Sequence, residues 1–429
     1  MNRPAAPIEN RLLPDTAAVD ARTGHLTVGG CDLLELAEEY GTPLFVYDET
    51  HLRNRCREAI TAFGAGNVAY ATKAFLCIAM ARLMHEEGLG LDVSTAGEFY
   101  VALLARVPPA QIVFHGNNKS LEELRQARKA KVGLIVVDSF DELDRLEMLH
   151  GEDGVRPRVQ LRVTPGVHAH THEYVATGQD DSKFGFNIAN RDALRALDRT
   201  RRSPAVELVG VHVHIGSQVL VAESFAKAAE VVGHFASSLD LPELTLGGGL
   251  GVAYVNGEVA PSMAEWGDLM IAAARAAGVT ARLKVEPGRA IVARAAVTLY
   301  TVGTIKDIPG VRTYVAVDGG MSDNPRPVLY GSGYEAFLPR APRAARPSVA
   351  RVVGKHCESG DMLIESAHLP EDVAVGDILA TPVTGAYGHS MASNYNKVPR
   401  PAVVFVCDGE ARAVVRRETL DDLVRLDVL

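Results

Sequence analysis

The sequence has 429 residues, 47% of them hydrophobic and 23% charged, with a formal net charge of -9. This size exceeds one small domain and suits a large barrel with a second domain, and the ordinary composition allows a sizeable core. The charge is spread along the chain, which argues against a nucleic-acid surface, and no apolar run reaches the roughly 20 residues of a membrane span.

Residues 1–20 carry Pro and charge but no signal-peptide core. The five cysteines (Cys31, Cys56, Cys77, Cys357 and Cys407) are odd in number and contain no CxxC pair. A disulfide framework is not expected, and a reducing cytoplasm fits. LTVGG (26–30) reads as a lone strand in need of a partner.

From Pro43 to Arg289, short β-branched runs alternate with longer stretches of helical period. The runs are PLFVYD (43–48), VAYATKA (68–74), LGLDVST (89–95), QIVFHG (111–116), GLIVVDS (133–139), VQLRVTP (159–165), LVGVHVHIG (208–216), LTLGGGL (244–250) and LKVEPGR (283–289). Between them, SLEELRQARKA (120–130), DELDRLEML (141–149) and AEWGDLMIAAARAAG (264–278) read as amphipathic helices, the first with Ser120 as N-cap. Alternating strands and helices call for a parallel sheet. Nine strands are one too many for an eightfold barrel, so PLFVYD is taken as a lead-in and the other eight as an α/β (TIM-like) barrel; an open doubly wound sheet is the alternative. The loop 167–187 is long and polar, as functional loops after barrel strands are.

After residue 290 the texture changes to strand-like runs: AVTLYTVGTIK (296–306), TYVAVDGG (313–320), ARVVGK (350–355), DILATPV (377–383) and AVVFVCDGE (402–410). The predicted organisation is a barrel over 43–289 and a discontinuous β-rich domain of 1–42 and 290–429.

A parallel barrel keeps its active site at the carboxyl ends of its strands. Here those ends present Lys73, Asp92 with Ser94, His115, Ser139, Arg162, His214, Gly247 to Gly249, and Glu286 with Arg289. Lys73, in VAYATKAF, either forms an imine with an aldehyde cofactor or pairs with Asp92. Gly247, Gly248 and Gly249 either cradle a phosphate with backbone N–H groups or make a tight turn. Glu286 either holds a protonated pyridine nitrogen, making the ring an electron sink, or pairs with Arg289 to cap the barrel. His212 and His214 share a side, with Ser217 just beyond; a metal, a stacked aromatic cofactor and a structural pair all remain open for them.

YATKAF, HVHIGSQ, LGGGLG, EPGR, MSDNPRPVLY, CESGD and GAYGHSMASNYN occur in one order from Pro43 to Pro401. In this the chain resembles the alanine-racemase-like (fold-type III) pyridoxal-phosphate decarboxylases, and among them the branch acting on diaminopimelate. The resemblance implies an eightfold barrel, a β-rich domain and a head-to-tail homodimer with shared active sites. It implies that Lys73 forms the Schiff base with pyridoxal 5'-phosphate and that His214 stacks on the ring. Ser217, Gly247 to Gly249 and Tyr387 would bind the phosphate, Arg289 would lie close to phosphate or substrate, and Glu286 would pair with the pyridine nitrogen. Arg326 and Tyr330 would grip the distal carboxylate of the substrate, which Tyr387 also contacts. Cys357, from the other subunit, would protonate the carbanion, and Glu358 would read the distal ammonium. One departure is Phe75, where the family usually has Asn two residues after the lysine.

The implied reaction converts meso-2,6-diaminopimelate to L-lysine and CO2, the last step of lysine biosynthesis, with no catalytic metal. The rivals are a decarboxylase of ornithine, lysine, arginine or carboxynorspermidine, a racemase, and a non-catalytic pyridoxal-phosphate-binding protein. Arg326 separates the first group, because a second carboxylate needs that cation. A thiol such as Cys357 can donate a proton; the alternative for it is a buried core position.

Overall fold

The computed structural model describes residues 6–166, 181–214 and 216–428. Most of the long polar loop, residues 167–180, lies outside the described residues. Two compact units are present: one of residues 55–252 with 260–290, the other of 253–259, 291–428 and the segment up to Asn54.

The first unit is an eight-stranded parallel barrel. Its strands are Ala69–Ala71, Gly90–Val93, Ile112–Phe114, Leu134–Val137, Arg158–Thr164, Glu207–His212, Glu243–Thr245 and Arg282–Lys284, each pairing with the next in sequence order. A parallel bridge from Val68 to Val285 closes the ring, and Ala69 N–H donates to Val285 O at 3.0 Å. These are the eight runs read from the sequence, each ending one to five residues earlier than its apolar text. Lys73, His115, His214, the glycine run and Glu286 therefore sit beyond the strands, while Asp92, Arg162 and His212 lie at or near strand ends.

Strand parity explains what fills the barrel. Val159, Leu161 and Val163 are buried, as are Val209 and Val211 on the neighbouring strand and Val213 just beyond it. The alternate positions are polar: Gln160 donates to Glu243, Lys284 pairs with Glu243 at 2.9 Å, and His212 meets Glu286. Side chains alternate faces along a strand, so the branched residues share one face and the polar ones meet across the other. Among the helices, Trp266 is fully buried with its ring 5.0 Å from Phe63 and 5.7 Å from Phe225. Burying such a side chain contributes about 2–3 kcal/mol. The helix Leu121–Ala130 begins as predicted, with Ser120 and Glu123 forming a reciprocal capping box.

The second unit holds a sheet ordered Met362–Leu369, Ser348–Val353, Arg312–Val317, Ala296–Ile308, Leu44–Asp48, Ala402–Cys407 and Glu410–Val415, with Ile378–Pro382 also on Ala296–Ile308. Leu44–Asp48 runs antiparallel to Ala296–Ile308 and parallel to Ala402–Cys407. It is a central strand buried along its whole length, which is why it reads as a continuous apolar run. It was rightly kept out of the barrel, but the proposed boundary at residue 43 assigns it to the barrel domain, whereas its hydrogen bonds tie it to the β-rich sheet. Leu26–Val28 finds its partners in Ala18–Val19 and Cys31–Asp32.

Candidate active site

Lys73 sits in the tight turn Thr72–Ala74 that follows the first barrel strand, and its side chain is exposed. Two hydrogen bonds fix this turn: Tyr70 Oη donates to Phe75 O at 2.8 Å, and Phe75 N–H donates back to Tyr70 Oη at 3.2 Å. Phe75 is buried, so the departure from Asn packs beside the lysine turn and presents no polar group to the mouth. Among the described residues Lys73 makes no ion pair with Asp92, the alternative raised for it.

Glu286 is buried on the turn after the last strand. Its Oε1 meets His115 Nε2 at 2.8 Å and its Oε2 meets His212 Nε2 at 2.8 Å. Asp92 Oδ1 lies 3.7 Å from His115 Nε2. Burial alone would raise the Glu286 pKa, but His115 and His212 hold its carboxyl well below the usual range. Burial pulls His115 down, and Asp92 and Glu286 outweigh it, leaving His115 raised. Burial dominates at His212, which is pushed down to about 4 despite Glu286. Burial also pushes Asp92 up to about 6, partly offset by His115. The shifts favour the ionised form of Glu286 and the neutral form of His212, with His115 displaced the opposite way from His212. Among the described residues no ion pair joins Glu286 to Arg289; Arg289 NH2 donates to Ser217 Oγ at 3.0 Å.

His214 is half-buried, and its Nδ1 accepts the Gly248 N–H at 3.3 Å. Burial, with Lys73 adding, holds its pKa well below the ordinary value, so the ring is neutral. Gly247 has φ +63° and Gly249 φ +108°, in the left-handed range that favours glycine. At Gly248 a Cβ would lie 2.2 Å from Glu286 O, so the loop runs flush against the turn that carries Glu286. Lys73, His214, Ser217, the three glycines, Glu286 and Arg289 all belong to the barrel unit.

The other predicted residues belong to the β-rich unit. Arg326 begins the short helix Arg326–Tyr330 and is buried. It donates to Tyr334 Oη and, at 3.1 Å, to Ser332 Oγ, with its guanidinium 4.3 Å from the Tyr254 ring. Its Nε–H has no acceptor among the described residues. Tyr330 is half-buried at the end of that helix. Tyr387, also half-buried, has φ +60°. Cys357 and Glu358 are exposed, which removes the core-cysteine alternative. Buried Asp361 braces their loop by accepting from His356 N–H at 2.8 Å and Met321 N–H at 2.6 Å.

The donor set fits the group that the resemblance implies. An exposed amine suits an aldehyde, an ionised carboxylate suits a pyridinium, and a hydroxyl beside a guanidinium and flush glycines suits a phosphate. Sequence reasoning placed His115 at the mouth without a role, offered Asp92 only as a partner for Lys73, and left His212 open. Both histidines serve Glu286. The signal was available in parity: His212, two residues before His214, points into the same barrel layer as Glu286.

Residues 49–293 match the family described as pyridoxal-dependent decarboxylase, pyridoxal binding domain. The diaminopimelate decarboxylase of Bacillus subtilis is 49% identical over 94% of this chain and 95% of its own length. That of Mycobacterium tuberculosis is 48% identical over the same shares. The crystal structure of the M. jannaschii diaminopimelate decarboxylase in co-complex with L-lysine superposes with a TM-score of 0.89 at 34% identity, covering 97% of this chain and 98% of that one. With its barrel, its lysine turn and its histidine-clamped carboxylate, the chain belongs to the pyridoxal-dependent decarboxylases, in the diaminopimelate decarboxylase family.

Proposed function

We propose that this protein removes the α-carboxylate at one end of meso-2,6-diaminopimelate, yielding L-lysine and CO2, with pyridoxal phosphate as cofactor. The observation that carries the reading is that Lys73, the histidine-clamped Glu286 and the hydrogen-bonded Ser217–Arg289 pair all stand beyond strands of one barrel unit, in a chain that matches diaminopimelate decarboxylases over 94% of its length.

The cofactor, when bound, supplies an electron sink for the carbanion left by departing CO2. Lys73 holds the cofactor through its amine and takes part in product release. Glu286 stays ionised and pairs with the ring nitrogen. His214, neutral, packs on the ring. Ser217, the N–H groups of Gly247 to Gly249, Arg289 and Tyr387 hold the phosphate. Arg326 and Tyr330 bind the distal carboxylate; a guanidinium with an uncommitted N–H suits that anion. The Cys357 thiol delivers the proton to Cα, and Glu358 pairs with the distal ammonium.

The reading includes a homodimer in which Cys357 of the partner subunit and Glu358 of the partner subunit complete each site. The exposure of this loop and its bracing by Asp361 support that arrangement. It also includes a cytoplasmic location. Among the described residues no disulfide joins any of the five cysteines, and no helix is long and apolar enough to cross a membrane.

The test is borohydride reduction of the loaded protein followed by peptide mass analysis, together with product stoichiometry. The expected result is a pyridoxyl mass on Lys73 and one CO2 released per lysine formed from meso-diaminopimelate. Label on another lysine, or no CO2, would overturn the reading.

A further inference from the structure

We propose that His115 is a positioning residue for the ring-binding carboxylate: with His212 it clamps both oxygens of Glu286, and it holds the proton that keeps Glu286 ionised inside the barrel. The inference rests on the reading of Glu286 as the partner of the cofactor ring, and it assigns the two histidines a task.

The geometry comes first. Three turns or strand ends, after Phe114, at His212 and after Lys284, deliver the three side chains to one point. Both Nε2 atoms lie 2.8 Å from a different oxygen of Glu286, and the two imidazoles meet edge-on at 4.8 Å and 66°. All three residues are buried, and an isolated carboxylate there would take up a proton rather than stay charged.

The location of the proton follows from the hydrogen bonds. His212 donates through Nε2 to Glu286, and its Nδ1 is buried with no partner among the described residues. A proton on that Nδ1 would be a buried donor without an acceptor, which costs about 1–3 kcal/mol. His212 is therefore the neutral Nε2–H tautomer. The compensating charge belongs on His115, which has a second carboxylate, Asp92, 3.7 Å from the same nitrogen. The charged groups that face this pair are Asp92, Glu286 and Arg162, with His212 neutral beside them; Lys73 and Glu98 act on Asp92. The two carboxylates outweigh the one guanidinium at His115, in agreement with the raised direction of its titration.

The test uses the full-length protein with 15N-labelled histidine, both stripped of and loaded with pyridoxal phosphate. Of the 14 histidines, His115 is assigned by its loss in His115→Gln. The expected stripped-protein spectrum shows His115 with both ring nitrogens protonated at neutral pH and His212 with one. In Asp92→Asn or Glu286→Gln the His115 titration midpoint falls. In the loaded enzyme, His115→Gln keeps an N–H donor but not the charge. The expected consequence is a drop in kcat of about tenfold, KM within about twofold, and a changed pH dependence of cofactor absorbance. A His115 that is singly protonated at neutral pH and unmoved in both Asp92→Asn and Glu286→Gln would overturn the inference. So would a His115→Gln enzyme whose absorbance profile and kcat match the parent. If the protonation pattern is found and no diamino acid is decarboxylated, the functional reading fails and this inference stands.

Discussion

The guanidinium of Arg326 lies 4.3 Å from the centroid of the Tyr254 ring, so the cation proposed to select the substrate is both stacked and buried. Tyr334 and Ser332 fix the plane of the fork. A lysine there would keep the charge and lose both the plane and the bidentate match. Arg326→Lys is expected to raise KM for diaminopimelate about tenfold or more while leaving bound cofactor unchanged, as read by steady-state kinetics and cofactor absorbance.

Ser217 Oγ accepts from Arg289 at 3.0 Å, and the pair is proposed to hold phosphate. Ser217→Ala removes one hydroxyl and frees one guanidinium donor. Cofactor affinity is expected to fall about fivefold to tenfold, in line with a hydrogen bond of about 1–1.5 kcal/mol. Equilibrium dialysis measures it.

Gly248→Ala would bring a methyl within 2.2 Å of Glu286 O. Something must shift, and the nearest atom is backbone. The expected cost is about 1–3 kcal/mol of stability together with weaker cofactor binding. Gly151, in a helix with nothing within 4 Å of its would-be Cβ, is the control: Gly151→Ala is expected to leave stability unchanged or raise it by up to about 1 kcal/mol. Chemical denaturation distinguishes the two.

How much of this was legible follows from which side chains carry their own signal. The eight barrel strands were readable because helix and strand periods alternate without interruption. The strand Leu44–Asp48 was set apart only by counting, since a buried central strand reads alike in either sheet. Met362–Leu369 and Glu410–Val415 escaped because their exposed polar residues break up the apolar pattern. Lys73, Glu286 and the glycine run stand at strand ends, where a barrel gathers its chemistry. The task of His115 was not readable, because its partner Glu286 is 171 residues away and only closure of the barrel brings them together.

Acid dependence separates two groups of the β-rich unit, half-buried His389 and buried Asp323. Burial, with Arg400 adding, pushes His389 down to about 4 from 6.5. Such a histidine contributes stability above its unfolded value and loses it as pH falls through about 4. Asp323, which accepts from Tyr300 Oη at 2.6 Å, is pushed by burial up to about 7 from 3.8. It contributes below 3.8 and loses that contribution as pH rises through about 7. The two act oppositely between pH 4 and 7. His389→Gln removes one of them, so relative to the parent the variant is expected to gain up to about 3 kcal/mol on going from pH 7 to pH 4. Denaturation midpoints across that range measure it.

Sharing of sites between subunits has its own test. Lys73→Met and Cys357→Ser are each expected to be nearly inactive. Mixed and allowed to exchange, they are expected to recover roughly a quarter of parental activity, because half the dimers then carry one intact site of two. Absence of recovery, with exchange verified by mass, would place both residues in one chain's site.

The most direct test of the central claim compares kcat/KM for CO2 release from meso-diaminopimelate, L-lysine, L-ornithine and L-arginine, in the parent and in Arg326→Ala. The account predicts a preference for diaminopimelate of about 100-fold or more that collapses in the variant. Equal or better turnover of a substrate without a second carboxylate would contradict it.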